Sequence, residues 1–391
     1  MSEPEQPFLP FSRPSLGPEA IAEVVACLES GWITTGPRTA LFEAALRDYL
    51  GAPQVACISS ATAGLHLVLA AMDLQPGDEV ITTPLTFVAS LNTIVHAGGR
   101  PVLVDIDPVT LNLDLDAVRD AIGPRTRAIM PVHFAGLAVD LDPLYEMAQA
   151  HGIRVVEDAA HAVGTRYRGR RIGAFGDTQV FSFHPNKNMT TGEGGAIATR
   201  DEALAGRIAR LRFHGIDREA FNRFAKAGSQ DYDVVLPGWK YNMLDMQAAL
   251  GLHQLQALDG FIARRTALAQ RYRAGFAGWP QFRLQGEPGY PQDHAWHLFV
   301  ILLDPAKAGM DRAAFMAAMK ERNIGTGLHY QAAHLFSYYR DLLGTGPGDF
   351  PHAEAAGATI VSLPLFPAMT EAEQDRVIEA MDAIFSRAGG A

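Results

Sequence analysis

The sequence lacks several features that mark large classes of proteins. It contains two cysteines, Cys27 and Cys57, in 391 residues, which excludes a disulfide framework and a cysteine-rich metal centre. No stretch of about 18 or more residues is continuously apolar, so the sequence predicts no membrane segment. The first residues are acidic and proline-rich, unlike a secretory leader. We therefore expect a cytoplasmic protein whose thiols stay reduced.

Positive charge is also scarce. The 33 lysines and arginines are outnumbered by 43 aspartates and glutamates, which gives a formal net charge of −10. The chain has no Lys/Arg-rich run, and this balance predicts no nucleic-acid binding. A local pocket on an acidic protein can still bind a small anion.

The common motifs for nucleotide and metal binding are missing as well. The chain has no G-x-G-x-x-G after its first predicted strand, no P-loop, no H-E-x-x-H and no C-x-x-C. Its 13 histidines include the pairs His329/His334 and His294/His297, but neither pair has a third ligand with a carboxylate. The sequence therefore predicts no metal site.

The sequence does contain a repeated alternation of strand-like and helix-like segments. Hydrophobic residues make up 48% and charged residues 19%, which supports a large core and, at this length, two domains. The predicted strands are 55–58, 79–82, 101–104, 128–132 and 154–157, and the predicted helices between them include 62–72, 87–96 and 141–151. This pattern is typical of an α/β fold with a mainly parallel sheet flanked by helices. In such sheets the chemistry collects at the carboxyl ends of the strands.

The pattern changes near residue 245. A long helical stretch is predicted at 245–276, followed by a Pro/Gly-rich loop at 286–291. The remaining predicted elements are a strand at 298–303, a helix at 311–321, a strand at 325–329 and a closing helix whose Thr370 and Glu373 have the spacing of a capping box. We therefore expect a large α/β domain over residues 1–250 and a smaller α+β domain over residues 251–391.

Two residues of the first domain carry the predicted chemistry. Asp158 ends a β-branched run, and Lys187 lies in a Gly-rich loop among uncharged neighbours. Each has an ordinary alternative, since a strand-terminal aspartate often caps a turn and most lysines are solvated. Together they describe a pyridoxal phosphate site. A desolvated lysine amine forms a Schiff base with the cofactor, and a carboxylate keeps the pyridine nitrogen protonated so that the ring accepts electrons.

A phosphate site is predicted at residues 59–64, Ser-Ser-Ala-Thr-Ala-Gly, which join a strand to a helix. Backbone N–H groups at a helix N-terminus bind phosphate without a cationic side chain, although an ordinary N-cap is the alternative. Ser182, on the strand before Lys187, can add a hydroxyl. Phe87 follows another strand and can stack on the cofactor ring, or it can belong to the core.

Several motifs, taken in order, resemble those of the DegT/DnrJ/EryC1/StrS sugar aminotransferases. They occupy residues 59–66, 157–161, 181–184 with Lys187 and Asn188, 192–195, and 238–243 with 245–249. The resemblance implies an aspartate aminotransferase-like fold, which is fold type I of the pyridoxal phosphate enzymes. It also implies a transaminase with pyridoxal 5'-phosphate as its cofactor.

The resemblance further implies a role for individual residues. Lys187 would be joined covalently to the cofactor, and Asp158 would contact its pyridine nitrogen. The other implied cofactor contacts are Ala61, Thr62 and Ser182 around the phosphate, His161 near the ring and its phenolic oxygen, and Phe87 over the ring face. Many family members supply an asparagine from a second subunit where this chain has Lys240 and Asn242. A lysine at this position can still reach a phosphate as a point charge. If the contact crosses subunits, as the resemblance implies, activity requires a homodimer.

Within the family, the chain most resembles the arabinose-type enzymes of lipid A modification. That likeness runs nearly end to end and is carried by residues 8–14, 30–37, 294–299, 325–329 and 362–367. It implies amino transfer from L-glutamate, which leaves 2-oxoglutarate, to C4 of a UDP-linked 4-keto-pentose. The product would be UDP-4-amino-4-deoxy-L-arabinose, used in lipopolysaccharide biosynthesis and polymyxin resistance. The candidates for the substrate pocket are His329, His184, Trp32 and Thr35.

Three alternatives are weighed against this function. An aminotransferase for another nucleotide-linked keto sugar, such as a 4-keto-6-deoxyhexose or a 3-keto sugar, also fits, because one extra methyl group is discriminated only modestly. A pyridoxamine-dependent sugar dehydratase is opposed by Lys187, since that branch has a non-lysine there. A non-catalytic cofactor-binding or regulatory protein is opposed by the complete set of catalytic groups.

Overall fold

The computed structural model describes residues 7–217 and 232–388. Its helices are α1 (Pro18–Glu29), α2 (Pro37–Leu50), α3 (Ala61–Ala71), α4 (Ala89–His96), α5 (Leu115–Ala121), α6 (Leu141–His151), α7 (Glu202–Leu211), α8 (Asp245–Gly275), α9 (Pro305–Ala308), α10 (Arg312–Glu321), α11 (Ser337–Leu343), α12 (Pro351–Thr359) and α13 (Glu371–Ala388). Its strands are β1 (Gln54–Ile58), β2 (Glu79–Thr82), β3 (Arg100–Leu103), β4 (Thr126–Ile129), β5 (Arg154–Asp158), β6 (Arg166–Tyr167), β7 (Arg170–Arg171), β8 (Thr178–Ser182), β9 (Gly195–Thr199), β10 (Phe282–Leu284), β11 (Gln292–Asp293), β12 (Phe299–Leu303) and β13 (Ile360–Leu363). The predicted strand at 79–82 and helix at 141–151 match at both ends.

Seven strands form the main sheet, in the order β1-β9-β8-β5-β4-β2-β3. The pairs from β8 through β3 are parallel. Strand β9 is antiparallel to both of its neighbours, β1 and β8, so these two run in the same direction as the rest. The predicted mainly parallel sheet is therefore confirmed, with one reversed strand inside it.

Helices cover both faces of this sheet because successive strand residues point to opposite sides. Val155 packs in a hydrophobic cluster with Phe42 of α2 and Leu258 of α8. The next residue, Val156, packs in a second cluster with Leu65 of α3 on the other face. Buried apolar side chains on both faces explain why the strands read as continuous hydrophobic runs.

The strand register brings three connections to one edge of the sheet. Gly195, the first residue of β9, pairs with Ile58 at the end of β1 and with Ser182 at the end of β8. Asp158, the last residue of β5, pairs with Val180 two residues before the end of β8. The chain that follows each of these strand ends therefore enters the same region.

A smaller antiparallel sheet, β10-β12-β13, lies in the C-terminal part. Its core includes Ile301 and Val361 from the strands, Phe315 from α10 and Met381 from α13. The closing helix begins with the predicted capping box, because the N–H of Glu373 donates to Thr370 Oγ1 at 3.1 Å and the Glu373 carboxylate accepts from the N–H of Thr370 at 2.8 Å.

The predicted strand at 325–329 is wrong. Within the described residues, this segment makes a single isolated bridge, between Gly327 and Ser362. A Cβ atom on Gly325 would lie 3.0 Å from the backbone nitrogen of Phe11, and one on Gly327 would lie 2.8 Å from the His329 ring. The two glycines therefore serve close packing against neighbouring chain, and glycine is a poor strand former.

The predicted domain boundary at residue 250 falls inside the long helix α8. Buried residues of α8 belong to both large cores: Leu258 packs in the first and Leu268 in the C-terminal one. The division into residues 1–250 and 251–391 stays a prediction. Within the described residues, no helix has the length and apolar character needed to cross a bilayer.

Candidate active site

Asp158 lies at the carboxyl end of β5 and is 5% exposed. Its Oδ2 accepts a hydrogen bond from Ser90 Oγ at 2.8 Å, and its Oδ1 accepts one from the N–H of Ala160 at 3.1 Å. Burial raises the pKa of Asp158, while these two bonds and the charge of Lys187 act in the opposite direction. The carboxylate is therefore held in a fixed orientation in a dry environment.

Lys187 lies on the loop that joins β8 to β9. The ends of this loop are closed, since the N–H of Phe183 donates to the carbonyl of Gly194 and the N–H of Thr191 donates to the carbonyl of Phe183, both at 3.0 Å. Burial lowers the pKa of the Lys187 amine from 10.5 to about 8, opposed by the charge of Asp158. An amine with this pKa keeps a substantial neutral, nucleophilic fraction near neutral pH.

The structure brings Asp158 and Lys187 into one site, as the sequence predicts. Each charge shifts the pKa of the other, so the two groups lie within direct electrostatic reach. The roles assigned to them stay predictions.

The predicted phosphate segment forms the start of α3. Ser60 is the N-cap, and its Oγ accepts from the N–H of Ala63 at 3.1 Å. Thr62 is exposed on the first turn. A Cβ atom on Gly195 would lie 2.8 Å from the backbone nitrogen of Ala61. Only glycine lets β9 approach the helix start this closely, and the positive end of the helix faces the same sheet edge as Ser182.

The rings of His161 and Tyr330 lie within electrostatic reach of the amine and the carboxylate. The Nδ1 atom of His161 accepts from the N–H of Ala135 at 3.2 Å, so a neutral ring has its hydrogen on Nε2. That nitrogen lies 3.0 Å from Tyr330 Oη and donates to it. Burial lowers the pKa of His161 well below its usual range, reinforced by Lys187. Burial of the Tyr330 hydroxyl, with a further contribution from the charge of Asp158, raises the pKa of Tyr330.

Two of the other predicted residues lie near these rings. The Phe87 side chain is 57% exposed, and its ring centroid is 6.0 Å from that of Tyr330, so Phe87 lies at the surface beside Tyr330 and is not a core residue. His329 Nδ1 contacts Ser362 Oγ at 2.9 Å. Burial lowers the pKa of His329 to about 4, with a further contribution from Lys187.

The remaining predicted substrate and subunit residues lie elsewhere. The His184 ring is exposed and bonds Asn186. Trp32 Nε1 donates to the carbonyl of Thr35 at 3.1 Å. The Thr35 hydroxyl and Lys240 Nζ both bond Asn242.

The segment that carries Lys240 is nevertheless tied to the phosphate region. The N–H of Ser59 donates to the carbonyl of Tyr241 at 2.7 Å. Within the described residues, the hydrogen bond and ring contact of the Lys240 side chain are to Asn242 and Phe213, not to Lys187 or Asp158. The structure therefore joins this segment to the helix start but does not bring its lysine to the amine.

Sequence reasoning missed Ser90, Tyr330 and His297. Ser90 lies in the first turn of α4, after another strand that ends at the same sheet edge, so the edge rule could have found it. Tyr330 follows the predicted His329 directly. His297, which the sequence suggested only as a metal ligand, has its Nε2 3.5 Å from Lys187 Nζ. No local sequence pattern predicts that contact.

These residues fit pyridoxal phosphate. A helix N-terminus suits the phosphate, a buried carboxylate suits a protonated ring nitrogen, and an amine with a lowered pKa suits the aldehyde. Within the described ranges, no cluster of three or more His, Cys, Asp or Glu side chains is arranged to hold a metal ion.

Comparisons with known proteins agree with this chemistry. The sequence model of the DegT/DnrJ/EryC1/StrS aminotransferase family matches residues 14–382. Spr1654 from Streptococcus pneumoniae, provisionally described as a sugar aminotransferase, is 33% identical in its PLP form and has a TM-score of 0.89, with 97% of this chain and 99% of that chain covered. DesV from S. venezuelae is 34% identical with a TM-score of 0.86, covering 97% and 99% of the two chains. PseC from Helicobacter pylori, an aminotransferase involved in the biosynthesis of pseudoaminic acid, is 29% identical with a TM-score of 0.90, covering 98% and 100%.

Proposed function

Because the chain belongs to the DegT/DnrJ/EryC1/StrS aminotransferase family, we propose that it transfers the amino group of L-glutamate to C4 of a UDP-linked 4-keto-pentose. Family membership and the related structures confirm three coarser predictions: the fold type I architecture, pyridoxal phosphate as the cofactor, and sugar aminotransferase activity. The sugar, the nucleotide and the residue roles belong to the proposal.

One observation carries the proposed chemistry: the buried carboxylate of Asp158 and the amine of Lys187 lie in one site and shift each other's pKa. Pyridoxal phosphate, when bound, supplies an electron sink for the negative charge that develops on the substrate carbon. The carboxylate of Asp158 would hold the ring nitrogen of the bound cofactor in its protonated form. The amine of Lys187 would hold the cofactor and, once the amino donor takes its place, would accept the proton of the donor carbon and return it.

The second half of the reaction reverses these proton movements on the keto sugar, which predicts ping-pong kinetics. A single amine can serve both halves because its pKa of about 8 lets it gain and lose a proton near neutral pH. His161 holds Tyr330 at the edge of the site through its Nε2 hydrogen. Phe87, whose ring lies beside that of Tyr330, would cover one face of the bound cofactor ring and shield it from water.

The proposed sugar rests on the end-to-end resemblance to arabinose-type enzymes. His329 is the best placed of the four substrate candidates, since it lies beside Tyr330 and affects the pKa of His161. For His184, Trp32 and Thr35 a place in the substrate pocket rests on the resemblance alone, since their contacts are to Asn186, to the Thr35 carbonyl and to Asn242. The product would be UDP-4-amino-4-deoxy-L-arabinose, and the pathway would be lipid A modification with polymyxin resistance.

We also propose that the chain functions as a cytoplasmic homodimer. Cys27 and Cys57 are both free and buried, which suits a reducing compartment. Three apolar side chains of α1, Ile21, Val25 and Leu28, are 56%, 45% and 51% exposed and share one helix face. A second copy would cover this stripe, and Lys240 would then reach the phosphate held by the other subunit.

The test is a panel of UDP- and dTDP-linked keto sugars incubated with L-glutamate and holoenzyme, with the amine products scored by mass spectrometry. The proposal expects the UDP-4-keto-pentose to give the highest kcat/KM. A 4-keto-6-deoxyhexose or a 3-keto sugar preferred by more than tenfold would identify the alternative aminotransferase. The Lys187→Ala variant provides the background.

A further inference from the structure

A buried histidine contacts the Lys187 amine. His297 Nε2 lies 3.5 Å from Lys187 Nζ, at the outer limit of a hydrogen bond, and such contacts commonly shorten when substrate binds. His297 is 3% exposed, and its other ring nitrogen, Nδ1, is buried with no hydrogen-bond partner among the described residues. Leaving a buried nitrogen unpaired costs free energy, so this ring is held in place by other interactions.

Arg265 of α8 holds the backbone on either side of that ring. Its Nη1 donates to the carbonyl oxygens of Trp296, His297 and Leu365 at 3.2, 3.3 and 2.9 Å. Trp296 has a φ of 49°, a left-handed conformation that side chains rarely adopt and that persists only where the surroundings enforce it. The guanidinium supplies that enforcement.

The chain beside Lys187 is fixed to the same segment. Asn188, the next residue, is 2% exposed, and its Nδ2 donates to the carbonyl of Ala295 at 2.7 Å. The N–H of Ala295 donates in turn to the carbonyl of Gly136 at 3.2 Å. The positions of the amine and of the imidazole are therefore set by one connected set of backbone contacts.

The groups that face His297 keep its ring neutral. They are two cations, Lys187 and Arg265, and two imidazoles, His161 and His329. The ring centroid of His161 lies 4.3 Å from that of His297. Burial, then these four groups, lower the pKa of His297 well below its usual range. Below a pH of about 8 the Lys187 amine is mostly an ammonium, which can only donate a hydrogen bond. The contact with a neutral His297 ring therefore requires the lone pair of Nε2 to face Lys187 and the ring hydrogen to lie on Nδ1.

We propose that His297 is a positioning residue that accepts a hydrogen bond from the ammonium form of Lys187 and so holds the proton-loaded amine in its working orientation. The proton stays on Lys187, and His297 gains none. The inference rests on the proposed role of Lys187 as the proton-transfer group. Desolvation disfavours the ammonium form of Lys187, yet the amine must bind a proton firmly enough to act as a base. The charge of Asp158 and the lone pair of His297 both stabilise that ammonium.

The test measures the pKa of Lys187 in the full-length apo-protein by competitive labelling with acetic anhydride between pH 6 and 10, with mass spectrometry of the peptide that contains Lys187. His297→Phe removes the acceptor and should lower that pKa by about one pH unit. His297→Gln retains an acceptor oxygen and should recover at least half of the shift.

A matched control is His334→Gln. His334 is also fully buried, and its Nε2 bonds Glu354 at 3.0 Å, so this variant also loses a buried imidazole. It should leave the pKa of Lys187 unchanged. An unchanged pKa in His297→Phe, an equal shift in the control, or no recovery in His297→Gln would each overturn the proposal.

A separate measurement distinguishes this inference from the proposed function. Borohydride reduction of the wild-type holoenzyme tests whether the cofactor is attached to Lys187. Cofactor mass on Lys187 together with an unshifted labelling pKa in His297→Phe overturns only the role of His297. Cofactor mass on a different lysine overturns the role of Lys187, and with it this inference.

Discussion

Two lysines assigned to the cofactor, Lys187 and Lys240, differ in how deeply the side-chain amine is buried and in the groups that it contacts. Lys187 is partly buried, contacts a neutral imidazole, and has its pKa lowered to about 8. Lys240 is exposed, bonds Asn242 and lies 4.5 Å from the centroid of the Phe213 ring. Burial lowers the pKa of both amines, but only for Lys187 does it reach about 8, where the amine can act as a base near neutral pH. The more exposed Lys240 amine serves as a cation that binds an amide oxygen and an aromatic face. We therefore expect Lys187 to control chemistry and Lys240 to control affinity.

The largest expected effect is that of Lys187→Ala. Without the amine, both the covalent attachment and the proton transfer are lost, so kcat should fall by about 10⁴-fold or more at saturating cofactor. The measurement is single-turnover formation of 2-oxoglutarate from glutamate. Lys240→Ala should stay within about fivefold of the wild-type kcat under the same conditions. A similar fall in kcat in both variants would show that Lys187 and Lys240 do not differ in their importance for the chemical step.

Asp158→Asn should have the next largest effect, a fall in kcat of about 10²- to 10³-fold. The amide keeps the shape of the carboxylate but cannot stabilise a charged ring nitrogen. Burial disfavours the charged form of Asp158 and raises its pKa, and a neutral amide avoids this cost. The thermal midpoint of Asp158→Asn should therefore fall by no more than a few degrees. Ser90→Ala removes only one hydrogen bond to the carboxylate and should cost about tenfold or less. If Asp158→Asn turned over at nearly the wild-type rate, the role of Asp158 in stabilising the ring nitrogen would be contradicted.

The lowered pKa of Lys187 also predicts how stability depends on pH. Its folded pKa of about 8 lies below the ordinary 10.5, so the unfolded chain binds more protons between these values and the penalty for burying the ammonium shrinks as pH rises. Lys187→Met should stabilise the apo-protein by about 2 kcal/mol at pH 7, after allowance for solvent contact. That gain should vanish near pH 10.5. Urea unfolding at several pH values measures it, and a gain that is constant with pH would contradict the explanation.

The smallest effect is expected for Lys240→Ala, which should weaken pyridoxal phosphate binding by about tenfold, with Lys240→Arg close to wild type. Titration of apo-protein with the cofactor, followed by absorbance, measures the Kd. Repeating the titration at protein concentrations above and below dimer dissociation tests the subunit contact. A loss that is equal in monomer and dimer would place the contact within one chain.

The sequence sufficed for the parts of this molecule that depend on local patterns. Apolar periodicity predicted β1 to β5 of the seven-stranded main sheet but not its reversed strand β9. The ends of the predicted strands pointed to Asp158 and to the start of α3. Residue periodicity failed at 325–329, where two glycines serve tight packing instead of strand pairing.

The contacts that the sequence did not reveal are between segments far apart in the chain. His161 and Tyr330 are 169 residues apart, and Lys187 and His297 are 110 residues apart. Such contacts depend on how the C-terminal part packs on the sheet edge, and no spacing rule encodes that packing. Ser90 differs, because its place after a strand already indicated the correct edge.

The closed loop between β8 and β9 has a consequence for how this enzyme can diversify. Lys187 lies on the loop of a hairpin formed by the paired strands β8 and β9, and Asp158 pairs with a residue of β8. The positions of these two residues relative to each other are therefore fixed by the sheet. His329 and Tyr330 belong to a separate segment without regular secondary structure, which forms a wall of the site that does not depend on the sheet. Mutations that reshape this wall for a new sugar can accumulate without moving the amine relative to the acid, so laboratory evolution of acceptor preference should begin there.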